Sequence, residues 1–228
     1  MSIGTKHETS LHRELKFAYT GQGGQTEVEV GSYVADGVNA AGEFIEVQTG
    51  SFGSLKRKAK EIPLLGKLRI IYPVIVTKYL EVYDAKGKYQ YRRKSPRRGS
   101  TWDIFSELIH APELPLSPNL VIEIVLVDAA EKRISDGKGS WRRQGVSIAD
   151  RRLLVLHESI CLQKPKDYLR FIPFKKKEIF TSALLGERAG ISVDVSRKTL
   201  YVLTKIGIVK KIGKQGRALC YRIVSSEK

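Results

Sequence analysis

The sequence predicts a mixed α/β protein in which helices flank a mixed sheet, followed by a smaller unit near the C-terminus. Two observations carry this prediction. Residues 8–84 read in the order helix, three strands, helix, strand, and residues 178–224 read as two capped helices followed by a hairpin. We expect a first domain over 1–172, with an extension of its core over about 99–172, and a second domain over 173–228.

Composition sets the class of protein. An apolar content of 42% in 228 residues indicates a folded globular chain. The sequence has no apolar run of 18 residues, and its polar start MSIGTKHETS lacks the apolar region of a signal peptide, so we expect a cytoplasmic protein. Cys161 and Cys220 are too few for a disulfide framework and are predicted to be ordinary thiols.

The first predicted element is a helix capped by Thr9 or Ser10. Leu11 and Leu15 recur at helical spacing and form its inner face, and Glu14 lies beside that apolar stripe. Three short segments with period-two alternation follow: TEVEV, YVADGV and EFIEVQT. They are separated by glycine-bearing turns and predict a three-stranded meander.

Acidic side chains interrupt the last two strands of this meander. If the second hairpin is centred on Ala41, Asp36 lies opposite Glu46, and Gln48 projects from the same face. Opposed Cβ atoms on one face are about 4.5–5.5 Å apart, where two like charges destabilise the sheet. A divalent cation held between the carboxylates would offset that repulsion. The alternative is an exposed hairpin face on which both carboxylates are only solvated.

A helix and a long strand follow the meander. LKRKAKEI predicts a helix with Leu55, Ala59 and Ile62 on its inner face, which we expect Pro63 to end. LRIIYPVIVTKYLEVY is strongly apolar and predicts a buried strand.

This order of elements, with Asp36 on the second strand and Glu46-Val47-Gln48 on the third, resembles the PD-(D/E)xK nuclease superfamily over about residues 8–84. The run from FIEVQTGSFGSLKRKAKEI to RIIYPVIV is also similar to a group of uncharacterised bacterial proteins assigned to that superfamily. The resemblance implies a phosphodiesterase in which Asp36 and Glu46 hold Mg²⁺ or Mn²⁺ together with the carbonyl of Val47. It also implies that Glu14 matches an acid that some members place on the first helix.

The chain departs from that family at one position. Gln48 stands where the family usually has lysine, and a neutral amide can orient water but adds no charge to a transition state. Some nucleases of this kind use glutamine, and Lys56 or Lys58 on the following helix is a candidate for the missing cation. A catalytically inactive DNA-binding or regulatory protein that keeps the fold as a scaffold is the alternative function.

The charge distribution indicates nucleic acid as the partner. The chain carries 40 basic and 24 acidic side chains, and residues 173–228 alone carry 13 basic and 4 acidic ones, a net charge of +9. Such a surface concentrates polyanions, and counterion release from phosphates supplies affinity without sequence specificity. A solvated basic surface without a ligand is the alternative.

A second basic segment lies in the middle of the chain. KYQYRRKSPRR, residues 88–98, is predicted to be a basic loop in which Arg92 and Arg93 contact nucleic acid beside tyrosines that could stack on bases; a solvated linker is the alternative. Strands are predicted over 120–127 and 153–160. The candidate phosphate contacts between them are Arg133, Arg142 and Arg143.

The C-terminal segment resembles a winged helix-turn-helix domain over about 178–224. Thr181 and Ser192 cap its two helices, and a glycine-bearing hairpin follows them. The resemblance implies that the second helix reads double-stranded DNA and that the hairpin contacts its backbone; docking to another protein is the alternative role, and a homodimer is compatible with the sequence. The implied DNA contacts are Ser196, Arg197, Lys198, Tyr201 and Lys205 on the helix and Lys211, Lys214 and Arg217 on the hairpin.

Overall fold

A computed structural model describes residues 8–224 of the chain. The elements in chain order are α1 (Ser10–Thr20), β1 (Gln25–Val30), β2 (Tyr33–Val38), β3 (Phe44–Val47), α2 (Phe52–Leu55), α3 (Lys58–Leu65), β4 (Leu68–Asp84), β5 (Tyr89–Lys94), α4 (Ile104–Leu108), β6 (Leu120–Ser135), β7 (Val146–Leu162), α5 (Ser182–Ala189), α6 (Val193–Lys205), β8 (Val209–Gln215) and β9 (Ala218–Ile223). The mixed α/β class and the order helix, three strands, helix, strand are confirmed.

The first seven strands form one mixed sheet in the order β1-β2-β3-β4-β6-β7, and β5 pairs with Tyr79 to Tyr83 of β4. This end of the sheet, which contains the C-terminal half of β4, is called its far half. Strands β3, β4 and β6 run parallel to one another, whereas β1, β2, β5 and β7 are antiparallel to their neighbours. The parallel centre follows from the connection between β3 and β4, because α2 and α3 cross over the sheet and return the chain to the same edge.

Helices cover both faces of the sheet. On one face, α1 buries Leu11 and Leu15 in an apolar cluster with Ile45 and Val47 of β3 and with Ile71 of β4. On the opposite face, a larger cluster contains residues of α2, α3, α4 and the C-terminal elements. The end of β3 therefore lies between a helix on one face and a helix on the other.

Helix α1 forms where its capping residue predicts. The Thr9 side chain accepts a hydrogen bond from the His12 amide, and the Gly21 amide donates to the Phe17 carbonyl at the other end. Among residues 8–224 the helices are short, and none has both the length and the apolar character needed to cross a bilayer.

The helix predicted between β3 and β4 is two short helices. Ser51 caps α2, and α3 continues through Pro63 to Leu65, so the expectation that Pro63 ends the helix is wrong. Proline removes only its own amide donor, and the next turn keeps its bond from the Gly66 amide to the Ile62 carbonyl at 3.1 Å.

The far half of the sheet differs from the prediction. Residues 89–94 of the predicted basic loop form β5, in which Tyr91 pairs with Val82 of β4. Strands β6 and β7 extend well beyond 120–127 and 153–160 and stay paired from Ile122–Leu162 to Ser135–Val146. Charged residues in these extensions are typical of turns, but here they pair across the strands, as described for Glu131 below.

The C-terminal elements form a second small sheet, β8–β9, beside two helices. Thr181 accepts from the Leu184 amide and Ser192 from the Val195 amide, so both predicted caps are confirmed. Helix α6 buries Leu200 and Leu203 in the same apolar cluster that contains Phe105 of α4. These elements, called the C-terminal unit (residues 181–223), therefore share a core with the larger sheet.

Candidate active site and nucleic-acid interface

Asp36 of β2 and Glu46 of β3 come together at the end of one strand pair. The ladder pairs Gly37 with Ile45 and Val38 with Phe44, which is the predicted register, and ends one residue short of Asp36 and Glu46. The predicted hairpin register is therefore confirmed. Tight pairing stops at this point, because Asp36 Oδ2 accepts a hydrogen bond from the Val47 amide at 2.7 Å. A carboxylate takes a position that a backbone carbonyl would fill in a continuing ladder.

Each carboxylate is paired with a cationic side chain from a different face of the sheet. His12 Nε2 of α1 lies 3.1 Å from Asp36 Oδ2. Lys58 Nζ of α3 lies 2.5 Å from Glu46 Oε2. These two groups offset the repulsion between the acids. From the sequence alone, a divalent cation was the group suggested for this role.

The surroundings of Asp36 and Glu46 shift the pKa values of the two acids in opposite directions. Burial opposes ionisation of Asp36, but the hydrogen bond and charge of His12 and the Val47 amide together lower the pKa of that carboxyl. Burial and the charge of Asp36 raise the pKa of Glu46 to about 7, although Lys58 acts in the opposite direction. Burial also disfavours the charged form of His12, yet the contact with Asp36 raises the pKa of His12. The site thus holds one firmly ionised acid beside one acid balanced near neutral pH.

Two predicted site residues point elsewhere. The Glu14 carboxylate accepts a hydrogen bond from the Leu153 amide of β7 at 2.6 Å, so it fixes α1 to the sheet edge and does not join Asp36. Gln48 follows the last residue of β3, and its Nε2 donates to the Ser51 carbonyl at 2.8 Å. The side-chain amide of Gln48 is therefore held by the turn that follows β3.

Two residues of the site were missed or left undecided by sequence reasoning. Of the two candidate lysines, Lys56 is exposed, and Lys58 makes the contact with Glu46. His12 was not considered. The available signal was the four-residue spacing of Glu8, which precedes α1, and of His12 and Lys16 on α1; Lys16 Nζ lies 2.9 Å from Glu8 and His12 Nε2 lies 3.6 Å from it.

Asp36 and Glu46 are of the donor type that Mg²⁺ prefers, and both carboxylates already have protein partners. Within residues 8–224 there is no group of three or more histidine, cysteine or acidic side chains able to hold a metal ion. Mg²⁺ is nevertheless commonly held by one or two carboxylates, with water and substrate phosphates in the remaining positions. Asp36 and Glu46 supply two carboxylates, and Val47 supplies a backbone carbonyl next to them. Binding of an ion here would have to compete with Lys58 for Glu46.

The exposed side of α6 carries part of the predicted DNA contact. Arg197, Tyr201 and Lys205 are exposed, and Lys205 Nζ lies 5.9 Å from the centre of the Tyr201 ring. Ser196 is fully buried, and its hydroxyl donates to the Ser192 carbonyl, so its predicted exposure is wrong. The position faces the core because α5 packs at that turn, where Gly186 lies against the Ser196 hydroxyl.

Lys198 differs from its neighbours on α6. Its ammonium lies 2.8 Å from Asp194 and 3.4 Å from the Ser106 hydroxyl of α4. Because it faces α4, Lys198 is poorly placed to contact DNA. The hairpin residues Lys211, Lys214 and Arg217 are all exposed, and with Arg197 and Lys205 they form what we call the C-terminal basic face.

The basic residues in the middle of the chain lie on the far half of the sheet. The Arg92 guanidinium stacks 4.2 Å above the Tyr79 ring and approaches Glu81. Arg93, Arg133, Arg142 and Arg143 line one cavity formed by β4, β5, β6 and the turn before β7. The strands therefore bring together residues that the sequence separates by about 50 positions.

These observations define a mixed α/β protein with two interacting carboxylates on adjacent strands, a lysine against one acid and a basic C-terminal unit. The chain belongs to the family described as a domain of unknown function (DUF8091), whose model matches residues 9–163. An uncharacterised protein of Treponema pallidum (strain Nichols) is 31% identical over 222 residues, which covers 97% of this chain and 88% of that protein. No solved structure matches the chain. The family match includes Asp36, Glu46 and Lys58 and ends before the C-terminal unit.

Proposed function

We propose that the protein is a metal-dependent phosphodiesterase that acts on nucleic acid. The observation that carries the proposal is the arrangement of Asp36, Glu46 and Lys58: two interacting carboxylates at the end of a strand pair, with a lysine ammonium against one of them. This combination supplies anionic metal ligands and a cation in one place, as hydrolysis of a phosphodiester requires. It also supports the resemblance to the PD-(D/E)xK nucleases, with the lysine moved from β3 to α3.

Each side chain has a separate role in this proposal. Asp36 and Glu46 would hold Mg²⁺ or Mn²⁺ with the Val47 carbonyl. When bound, the ion neutralises charge on the phosphate oxygens. Lys58 supplies positive charge to the attacked phosphate once it is released from Glu46, a role that Gln48 cannot fill. His12 positions Asp36 by hydrogen bonding to the oxygen that also accepts from Val47.

The C-terminal basic face would hold double-stranded DNA. Its exposed cations lie on α6 and on the β8–β9 hairpin, which is the arrangement that a winged helix uses to contact the major groove and the adjacent backbone. The net charge of +9 over residues 173–228 favours a polyanion over a protein partner.

A cleavage assay with a matched pair of lysine variants tests the proposal. Circular duplex DNA and single-stranded DNA are incubated with Mg²⁺ or Mn²⁺. We expect cleavage by the wild type, loss of about 10²–10³-fold in Lys58→Gln, and little change in Lys56→Gln, which removes an exposed charge two residues away. Asp36→Asn should abolish cleavage without abolishing DNA binding.

A DNA-binding protein without catalytic activity is the second candidate function. It is favoured by the pairing of both acids with His12 and Lys58 and by the hydrogen bond that turns Gln48 toward Ser51. A scaffold that no longer binds metal needs such internal cations. If neither ion supports cleavage and neither changes the melting temperature, this second function replaces the first.

A further inference from the structure

The far half of the sheet contains a recess lined mainly by cations. Two adjoining cavities of about 410 and 290 Å³ share Leu80, Arg93, Arg133 and Arg143 in their walls and together form what we call the basic recess. The larger cavity is lined by six cationic side chains: Lys78, Arg93, Arg97, Arg133, Arg143 and Arg151. Glu131 is the acid in the same wall.

Glu131 holds two of these cations in fixed positions. It is 1% exposed, and its two oxygens accept from Arg133 Nε at 2.8 Å and from Arg151 Nε at 2.9 Å. The two arginines come from neighbouring strands, β6 and β7, and are thereby fixed at the floor of the recess. A single carboxylate compensates one positive charge, so the recess keeps a large cationic excess.

The excess of positive charge affects the pKa of Lys78. Burial lowers the pKa of Lys78, and Arg151, Arg133 and Arg97 lower it further by repulsion, although Glu131 acts in the opposite direction. The surrounding charges therefore disfavour another cation. A bound anion would relieve this repulsion, which gives the recess a physical reason to bind one.

An aromatic side chain completes the recess. Tyr91 of β5 lies beside Arg93 in the wall of the smaller cavity and is 49% exposed. Tyr and Trp rings beside a track of cations form the usual platform for single-stranded nucleic acid, because an unpaired base can stack while its phosphates contact the cations. A base within a duplex is already stacked on its neighbours and cannot use such a ring.

We propose that the basic recess binds single-stranded nucleic acid, with phosphates on Arg93 and Arg143 and a base on Tyr91. This site is distinct from the carboxylate pair. Glu46 pairs with Ile70 of β4, and the recess begins at Lys78, which is about 26 Å further along the same strand at 3.3 Å per residue. The inference holds whether or not the protein cleaves nucleic acid.

Fluorescence anisotropy with a labelled single-stranded oligonucleotide of about 12 nucleotides tests the inference, since this length spans one such site. The test variant is Arg93→Gln/Arg143→Gln, which changes two of the three cations shared by both cavities and leaves the partners of buried Glu131 in place. We expect binding to weaken about tenfold or more, and the salt dependence of log K to fall by about 1.4, since each phosphate contact in a single strand contributes about 0.7.

Two control variants distinguish a specific loss of the recess from a general loss of positive charge and from misfolding. Lys166→Gln/Arg170→Gln removes two exposed cations at the other end of β7 and should leave binding within about twofold. Arg93→Lys/Arg143→Lys keeps both charges and should retain most of the affinity. Circular dichroism of every variant verifies the fold.

The proposal is overturned if the two double Gln variants lose affinity equally. It is also overturned if Tyr91→Ala binds the oligonucleotide as well as the wild type, or if duplex DNA or inorganic polyphosphate of matched charge occupies the recess as tightly. Unchanged binding by Tyr91→Ala, or equally tight binding of duplex DNA or polyphosphate, would show that the recess is a general polyanion surface. Binding that remains intact in Asp36→Asn shows that the recess acts independently of the proposed phosphodiesterase site.

Discussion

Lys58 Nζ lies 2.5 Å from Glu46 Oε2, so a lysine from the helix after β3 neutralises the acid on β3. Glu46 Oε2 is buried, and Lys58 is its ionic contact. Burial and the charge of nearby Asp36 raise the pKa of Glu46 to about 7. Removing one charge from this group should therefore change the free energy of unfolding as well as cleavage.

Lys58→Gln is expected to destabilise the fold at pH 8. The substitution leaves the Glu46 carboxylate buried without a cation, which costs about 1–3 kcal/mol of unfolding free energy. Lys56→Gln, whose side chain is exposed, should change it by less than about 0.5 kcal/mol. Urea unfolding followed by tryptophan fluorescence measures both, and Glu46→Gln/Lys58→Gln should recover most of the loss. Equal losses in the two single variants would contradict the pairing.

Glu46→Gln should change the pH dependence of stability. The pKa of Glu46 is raised from its ordinary value of 4.5 to about 7 in the fold, so the folded state binds this proton more tightly than the unfolded chain does. The wild type therefore loses stability as pH rises from about 4.5 to about 7. Glutamine does not ionise, so the variant should gain relative to the wild type across that window and reach a plateau above it. Thermal unfolding at pH 4 to 9 measures this difference; a difference independent of pH would refute it.

Much of this site was predictable from the sequence. A turn centred on Ala41 fixes the register of β2 and β3, which brings Asp36 and Glu46 to the same end of the strand pair, because the register depends only on local backbone geometry. The contacts of His12 and Lys58 were not predictable in the same way. They depend on how α1 and α3 are rotated against the sheet, and tertiary packing sets that rotation.

The full length of the strands in the far half of the sheet was also not predictable from the sequence. Glu131 and Arg133 interrupt the apolar pattern of β6 and are typical of a turn, yet both lie within the strand. The strand continues because Glu131 pairs with Arg133 on its own strand and with Arg151 of β7, which lies 20 residues further on. Local pattern cannot show that a charge is neutralised by a distant residue.

Charge reversal on the C-terminal basic face should weaken duplex binding. Arg197→Glu/Lys205→Glu changes two exposed cations of α6 and should reduce the salt dependence of log K by about 1.8, at about 0.9 per phosphate contact. Lys198→Gln should have a smaller effect than Arg197→Gln, because Lys198 faces Asp194 and Ser106. Anisotropy titrations with duplex DNA at several salt concentrations provide the measurement.

The control for that experiment is Lys56→Glu/Arg57→Glu, which reverses two exposed charges next to the carboxylate pair. This control should retain most of the duplex affinity. If both double variants lose affinity equally, the C-terminal basic face is not the main contact with DNA.

Asp36→Asn and Glu46→Gln should abolish cleavage alike but move stability in opposite directions. His12 and the Val47 amide lower the pKa of Asp36, so its ionised form stabilises the fold above the ordinary value of 3.8, and this contribution is lost as pH falls through the lowered pKa. The contact also raises the pKa of His12 above 6.5, so the contribution of its charged form is lost as pH rises through that pKa. Asp36→Asn should therefore lower the free energy of unfolding most between about pH 4 and pH 6.5, by about 1.5–3 kcal/mol for a charged hydrogen bond.

Glu46→Gln should instead hold or gain stability above pH 7, where the wild type carries a buried charge that the fold disfavours. Chemical denaturation of both variants at pH 5.5 and pH 8, with cleavage assayed in parallel, measures the two effects. Losses of the same sign for both variants at pH 8 would show that the two carboxylates are equivalent and that their different partners do not matter.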